Sequence, residues 1–139
     1  PAGLAARDTL RLEAGMPLYG NELSREIRPT QAGLGRVVAS DKDAFVGKDA
    51  PFDPDAAVLV GLEAEGRRAG RSGYAVLGAD GRLVGTITSG VLSPTLGHPI
   101  AMAYVDPGAS DVGTELFIDV RGTTIPATVT ELPFYRRKK

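Results

Sequence analysis

Few residues of this 139-residue chain have the types and spacing that chemistry requires. Asp8 and Arg11, three apart on a predicted helix, form an opposite-charge pair of the kind that steadies a helix. Arg7 falls off the main apolar stripe and is free to point at a neighbour or a ligand; on the residues alone, solvation or ion pairing of Arg7 and Arg11 is the competing reading. Asp8 and Glu13 do not make an acid/base pair, because five helical positions turn them roughly 140° apart. Ser89 and Ser93 invite a nucleophile reading, yet Ser89-Gly90 lacks the glycine-x-serine-x-glycine pattern and the single histidine, His98, has no evident orienting role. Both serines therefore read as turn or loop caps. His98, between Gly97 and Pro99, reads as a turn residue, and no second histidine or cysteine completes a metal site. No phosphate-binding glycine loop of the usual spacing is present.

The elements that must position these groups follow from propensity and pattern. Ala5 to Ala14 contains no proline or glycine and one β-branched residue, which predicts a helix of about three turns. Ala5, Thr9, Leu12 and Met16 fall on one stripe, with Ala6 and Leu10 beside it, and are expected to face a core. Leu4, Asp8, Arg11 and Gly15 lie opposite. Gly15 followed by Pro17 is a helix stop. Residues 21–31 are polar and turn-prone, Gly35–Ala39 is a short strand candidate, and 41–49 is a helical turn or a loop. Pro51, Asp53 and Pro54 mark a linker, dividing the chain into 1–54, the end of an α+β region, and 55–139.

Beyond the linker the pattern changes to period two. Six strand candidates follow, at 58–62, 74–77, 83–88, 100–105, 116–120 and 125–129, separated by turn signals such as Asp80-Gly81 and Arg121-Gly122. The expected fold is mainly β: a six-stranded antiparallel β-barrel with a short α/β N-terminal appendage. Pro126 is expected on an edge or at a bulge, because it cannot donate to a ladder.

Composition narrows the function classes. Net charge is −1 and the sequence pI ≈ 5.8, so there is no electrostatic case for nucleic acid or an acidic membrane surface. The one dense basic run, Arg136 to Lys139, reads as a solvated tail. Without cysteine, disulfides and thiolate metal sites are excluded. No apolar run approaches the roughly 18 residues that span a bilayer, which reads as a soluble, intracellular chain.

The run GLAARDTLRLEAGMPLYGNEL, residues 3–23, resembles the central signature of the aminomethyltransferase (T-protein) family of the glycine cleavage system. Thr86-Ile87-Thr88-Ser89-Gly90, Ser93-Pro94-Thr95-Leu96-Gly97, Ile100 to Val105 and Pro133-Phe134-Tyr135 resemble that family's C-terminal domain in order and spacing. One departure is Ala2, where many members carry a cysteine. The resemblance implies a chain corresponding to the C-terminal part of a longer enzyme, with the aspartate of the reacting centre upstream of Pro1 and no catalytic residue in the chain itself. It implies Arg7 as a substrate- or folate-binding residue, Asp8 and Arg11 as helix supports, and Tyr135 and Arg136 as residues approaching the folate site. The activity implied is transfer of a one-carbon unit from a lipoyl carrier protein to tetrahydrofolate with release of ammonia. Tetrahydrofolate is then a co-substrate, no metal is needed, and the setting is cytoplasmic, or the mitochondrial matrix in a eukaryote. This portion alone is expected to be inactive, with a barrel that folds by itself and a helix whose Leu12/Met16 face lacks its packing partner. The alternatives are the folate-binding tail of a dimethylglycine or sarcosine dehydrogenase, which shares the arginine-aspartate signature, and a non-catalytic barrel used as an interaction module.

Overall fold

The computed structural model describes residues 3–51 and 53–137, so Ala2, Lys138 and Lys139 lie outside the described residues. One helix, α1 (Leu4–Glu13), precedes six strands: β1 (Val58–Ala64), β2 (Ala75–Leu77), β3 (Leu83–Leu92), β4 (Pro99–Val105), β5 (Glu115–Val120) and β6 (Thr123–Thr130). The strands close into an antiparallel barrel in the order β1-β4-β3-β2-β5-β6. The expected fold class is therefore the observed one.

Period-two alternation explains the interior. Val60, Leu62 and Ala64 of β1, Val76 of β2, Val84 and Ile87 of β3, Ala101, Ala103 and Val105 of β4, Leu116 and Ile118 of β5, and Ala127 and Val129 of β6 form one buried cluster. β4 is buried on its other face as well, where Ile100 and Met102 meet Leu12 of α1. That double burial is why PIAMAYV is apolar almost throughout. β6 pairs with β1 only as far as Ala64↔Ala127, so Pro126 stands just past the end of that ladder, opposite Phe117 of β5. The missing N–H of Pro126 thus falls at a local edge within a closed barrel.

Two expectations about the remainder are corrected. Residues Gly35–Val37 form a single 3-10 turn where a strand was expected. Leu34 N–H bonds to Pro29 O, and Val37 N–H to Leu34 O, so the segment spends its backbone groups locally and offers none to a ladder. Strand β3 runs on to Leu92, carrying Ser89 and Gly90 inside it past a register shift between Ile87 and Ser89.

The helix ends as its sequence indicates. Gly15 adopts φ 66°, Met16 N–H bonds to Arg11 O at 2.8 Å and Gly15 N–H to Leu12 O at 2.9 Å, which is a Schellman closure. A Cβ at Gly15 would also lie 2.9 Å from Pro133 Cα, so glycine is required twice over. The C-terminal segment crosses there, with Tyr135 N–H bonded to Glu13 O at 2.9 Å.

The buried face of α1 is not the predicted stripe. Leu12 is 0% exposed, but Leu10 is 61% and Met16 59% exposed, and the residues buried with Leu12 are Arg11 and Glu13. Charged side chains take the inner positions because β3 and the loop after it present hydroxyl groups that satisfy them. Leu12 consequently has its packing partner in β4, contrary to the expectation that the helix stands without one.

Candidate functional site

Two buried polar clusters clamp α1 to the barrel. In the first, Arg11 Nη1 bonds to Glu22 Oε2 at 2.7 Å, and Arg11 Nη2 donates to Ser89 Oγ at 2.7 Å. Arg11 Nε donates to Asp8 Oδ1 at 2.8 Å. Glu22, 0% exposed, also accepts Leu18 N–H at 2.9 Å and Thr88 Oγ1 at 2.8 Å, and it accepts the Ser89 hydroxyl. Its backbone oxygen takes the Tyr104 hydroxyl at 2.8 Å. Burial, and secondly the negative charge of Glu22, push the Tyr104 phenol up to about 12. In the second cluster Glu13 Oε1 takes Ser93 Oγ at 2.5 Å and Thr95 N–H at 3.3 Å, while Oε2 takes Thr95 Oγ1 at 2.9 Å.

A guanidinium taken out of water needs its N–H groups matched, and Arg11 has carboxylate, hydroxyl and carbonyl acceptors around it. Among the described residues no buried side-chain nitrogen or oxygen lacks a partner. This saturation fixes the roll of the helix about its axis.

The outward side of that helix forms a shallow groove of ≈ 470 Å³, lined by Leu4, Ala5, Arg7, Asp8, Leu18 and Asn21. Arg7 is exposed on its wall. Asp8, half exposed at 50%, lines the groove with its Oδ1 committed to Arg11. Asn21 donates Nδ2 to Ser89 Oγ at 3.0 Å, which leaves its carbonyl oxygen available. The groove thus offers an apolar floor, a guanidinium fork and side-chain acceptors. Such a surface suits a flat amphipathic ligand carrying both N–H donors and an anionic or carbonyl edge.

Arg7 and Asp8 are brought together in this groove. Tyr135 and Arg136 do not line it: Tyr135 is tied to the helix C-terminus and Arg136 approaches Glu131 at 3.6 Å on the surface. Ser93 does cap its loop, accepting Leu96 N–H at 3.0 Å, whereas Ser89 is a strand residue inside the polar cluster. His98 is half-buried, its Nδ1 3.3 Å from Pro99 O, and no group of three metal-ligating residues occurs among the described residues. Glu22 and Glu13 escaped the sequence reading. Their partners on the barrel are 66 to 82 positions away, and only the fold reveals such pairings.

A small closed antiparallel barrel with a polar-clamped helix on its outer face is the class that fold and groove define. Residues 58–136 match the family described as the glycine cleavage T-protein C-terminal barrel domain, and residues 1–42 match the GCVT N-terminal domain. The chain belongs to the glycine cleavage T-protein family. It is 63% identical to the aminomethyltransferase of Cutibacterium acnes over 99% of this chain and 38% of that protein. With the aminomethyltransferase of Saccharopolyspora erythraea the identity is 60%, over 99% of this chain and 39% of the relative. The crystal structure of glycine cleavage system aminomethyltransferase T from Bartonella henselae superposes with a TM-score of 0.88 at 36% identity, covering 96% of this chain and 39% of that one. The chain therefore spans about two fifths of the length of these relatives.

Proposed function

We propose that the whole protein is a tetrahydrofolate-dependent aminomethyltransferase, taking a one-carbon unit from the lipoyl arm of a carrier protein and releasing ammonia. Catalysis of this kind works by holding the folate nitrogens against the aminomethyl carbon. In this reading the present chain supplies one wall of the folate site, residues 1–54 and 55–139 are two regions of a larger enzyme, and the protein works in the cytoplasm. The relatives named aminomethyltransferase support the parent activity. The observation that carries the role of this portion is the division of labour on α1: Arg11 is spent inward on Asp8, Glu22 and Ser89, and Arg7 faces the groove. Arg7 is then the folate contact, Asp8 and Arg11 brace the helix, and Tyr135 and Arg136 act farther along the same ligand or on the closing segment.

In the full-length enzyme, Arg7→Ala is expected to weaken tetrahydrofolate binding by roughly ten- to a hundredfold, the range for one lost charge-assisted hydrogen bond. Arg7→Lys recovers part of it, because an ammonium keeps the charge but not the fork. Arg11→Ala lowers the melting temperature more than the affinity. Titration calorimetry beside thermal melting checks the pair, and an Arg7→Ala enzyme with undiminished folate affinity refutes the assignment.

A further inference from the structure

Four arginines gather on the barrel away from the α1 groove. Arg67, Arg68 and Arg71 come from the loop joining β1 to β2, and Arg121 comes from the turn joining β5 to β6. With Tyr74 and Thr123 they line a cavity of ≈ 450 Å³ whose wall contains no acidic residue. None of the four forms an ion pair among the described residues. The acids nearest in sequence stand apart from it: Asp119, two residues before Arg121, has its Oδ1 engaged by Gly122 N–H at 2.7 Å, and Glu65, two residues before Arg67, lines a different cavity with Glu63 and His98. In a chain of net charge −1, four unpaired cations in one concavity repel one another, and an anion relieves that repulsion.

The backbone beneath these arginines is anchored. Gly73 N–H bonds to Ile87 O at 2.8 Å, and Ile87 N–H returns to Tyr74 O at 2.9 Å. Gly70 lies buried against β3, its carbonyl so close to Gly90 that a Cβ there would come within 2.1 Å of the oxygen. Arg71 is therefore held between two fixed points. Opposite it, Arg121 adopts φ 55°, the one non-glycine positive φ among the described residues, in a two-residue turn with Gly122. Asparagine or glycine would hold that left-handed position at lower cost. An arginine kept in a disfavoured backbone state points to a use for its side chain at that spot.

We propose that this arginine basin binds a small multivalent anion, a ligand with at least two phosphate or carboxylate groups. The volume lies in the range of small-ligand sites, about 300–1,000 Å³. A guanidinium fork pairs with either oxyanion through two parallel hydrogen bonds, and a single monovalent anion would leave most of the charge uncompensated. The basin is independent of the aminomethyl-transfer reading, which rests on α1.

Calorimetric titration of the 139-residue chain with inorganic tripolyphosphate and, separately, citrate at low salt tests this. Tripolyphosphate should bind, and the Arg67→Ala/Arg121→Ala double variant should weaken it at least about tenfold. High salt should weaken it as well. Arg82→Ala, in the β2–β3 turn at the other end of the barrel, should leave it unchanged. Equal binding of citrate supports a site for either oxyanion, and silence of citrate supports a phosphate site. The four arginines are exposed, so an unchanged melting curve is the check that the variants fold. Absence of binding by both small anions overturns the proposal. So does equal weakening by Arg82→Ala, or binding confined to a long polyglutamate chain, which would make the basin a surface for an acidic macromolecule.

Discussion

β4 divides the molecule into two interiors built on different physics. Its inward residues, Ala101, Ala103 and Val105, join a cluster that is aliphatic throughout, while its outward residues, Ile100 and Met102, meet Leu12 beside charged groups that are themselves buried. Inside the barrel, stability follows the apolar area removed from water and tolerates a swap of similar volume. At the seam it follows matched charges and hydrogen bonds, where removal of one partner strands the other. The interior holds the barrel shut. The seam decides how the helix sits on it, and with it the direction Arg7 faces.

Two substitutions of nearly unchanged shape should separate these regimes. Glu22→Gln leaves Arg11 buried with only half-exposed Asp8 as a carboxylate partner and should cost about 3 kcal/mol or more in urea unfolding. Hydrogen exchange should then show α1 losing protection while the strands keep theirs; uniform loss would mean that seam and barrel are one cooperative unit. Ile118→Val, in the barrel interior at 1% exposure, should cost only about 0.5–1.5 kcal/mol, with no preferential release of α1. A larger loss than for Glu22→Gln would erase the contrast.

The smallest effect concerns pH. Tyr104 is held neutral in the fold, its phenol pushed from 10.0 to about 12. With the folded value above the unfolded one, this contribution is complete below about pH 10 and is lost as pH rises toward 12. Wild type should be more stable than Tyr104→Phe by about 1 kcal/mol at neutral pH, the worth of one hydrogen bond, and that advantage should close and then reverse through this window, because only the tyrosine must ionise. A gap that persists to pH 12 would place the origin of the shift elsewhere.

The barrel was readable because alternation is a local signal: each strand candidate, from Val58 to Val129, announces its buried face within a few residues. Short turns such as Asp80-Gly81 and Arg121-Gly122 then fixed the hairpins. The helix was readable as a helix, but its orientation was not. Periodicity ranks faces by hydrophobicity, so Leu10 and Met16 drew the prediction outward while Arg11 and Glu13, the residues that dock, counted against their own face. Nothing within a helical window reports that Ser89 waits on the barrel to accept from Arg11, or Ser93 and Thr95 to donate to Glu13. The Asp8–Arg11 pair was legible, since it is local; the groove beside Arg7 was legible only through the family resemblance of its motif.

The barrel closes between its first and last strands, with Gly61 opposite Thr130 and Leu62 opposite Val129. β1 pairs with β4 and β6 and not with β2, the strand that follows it, so every ladder bond it makes awaits residues at or beyond Pro99. On a ribosome, β1 would emerge with both sides unpaired and stay so while the middle of the barrel is made. Such long-range pairings are slow to form because their loop-closure entropy comes due before any contact rewards it. The same arrangement sets the two ends of the barrel side by side, so a peptide joining the region of Thr130 to that of Val58 could move the chain's start to another loop and leave the ladder whole.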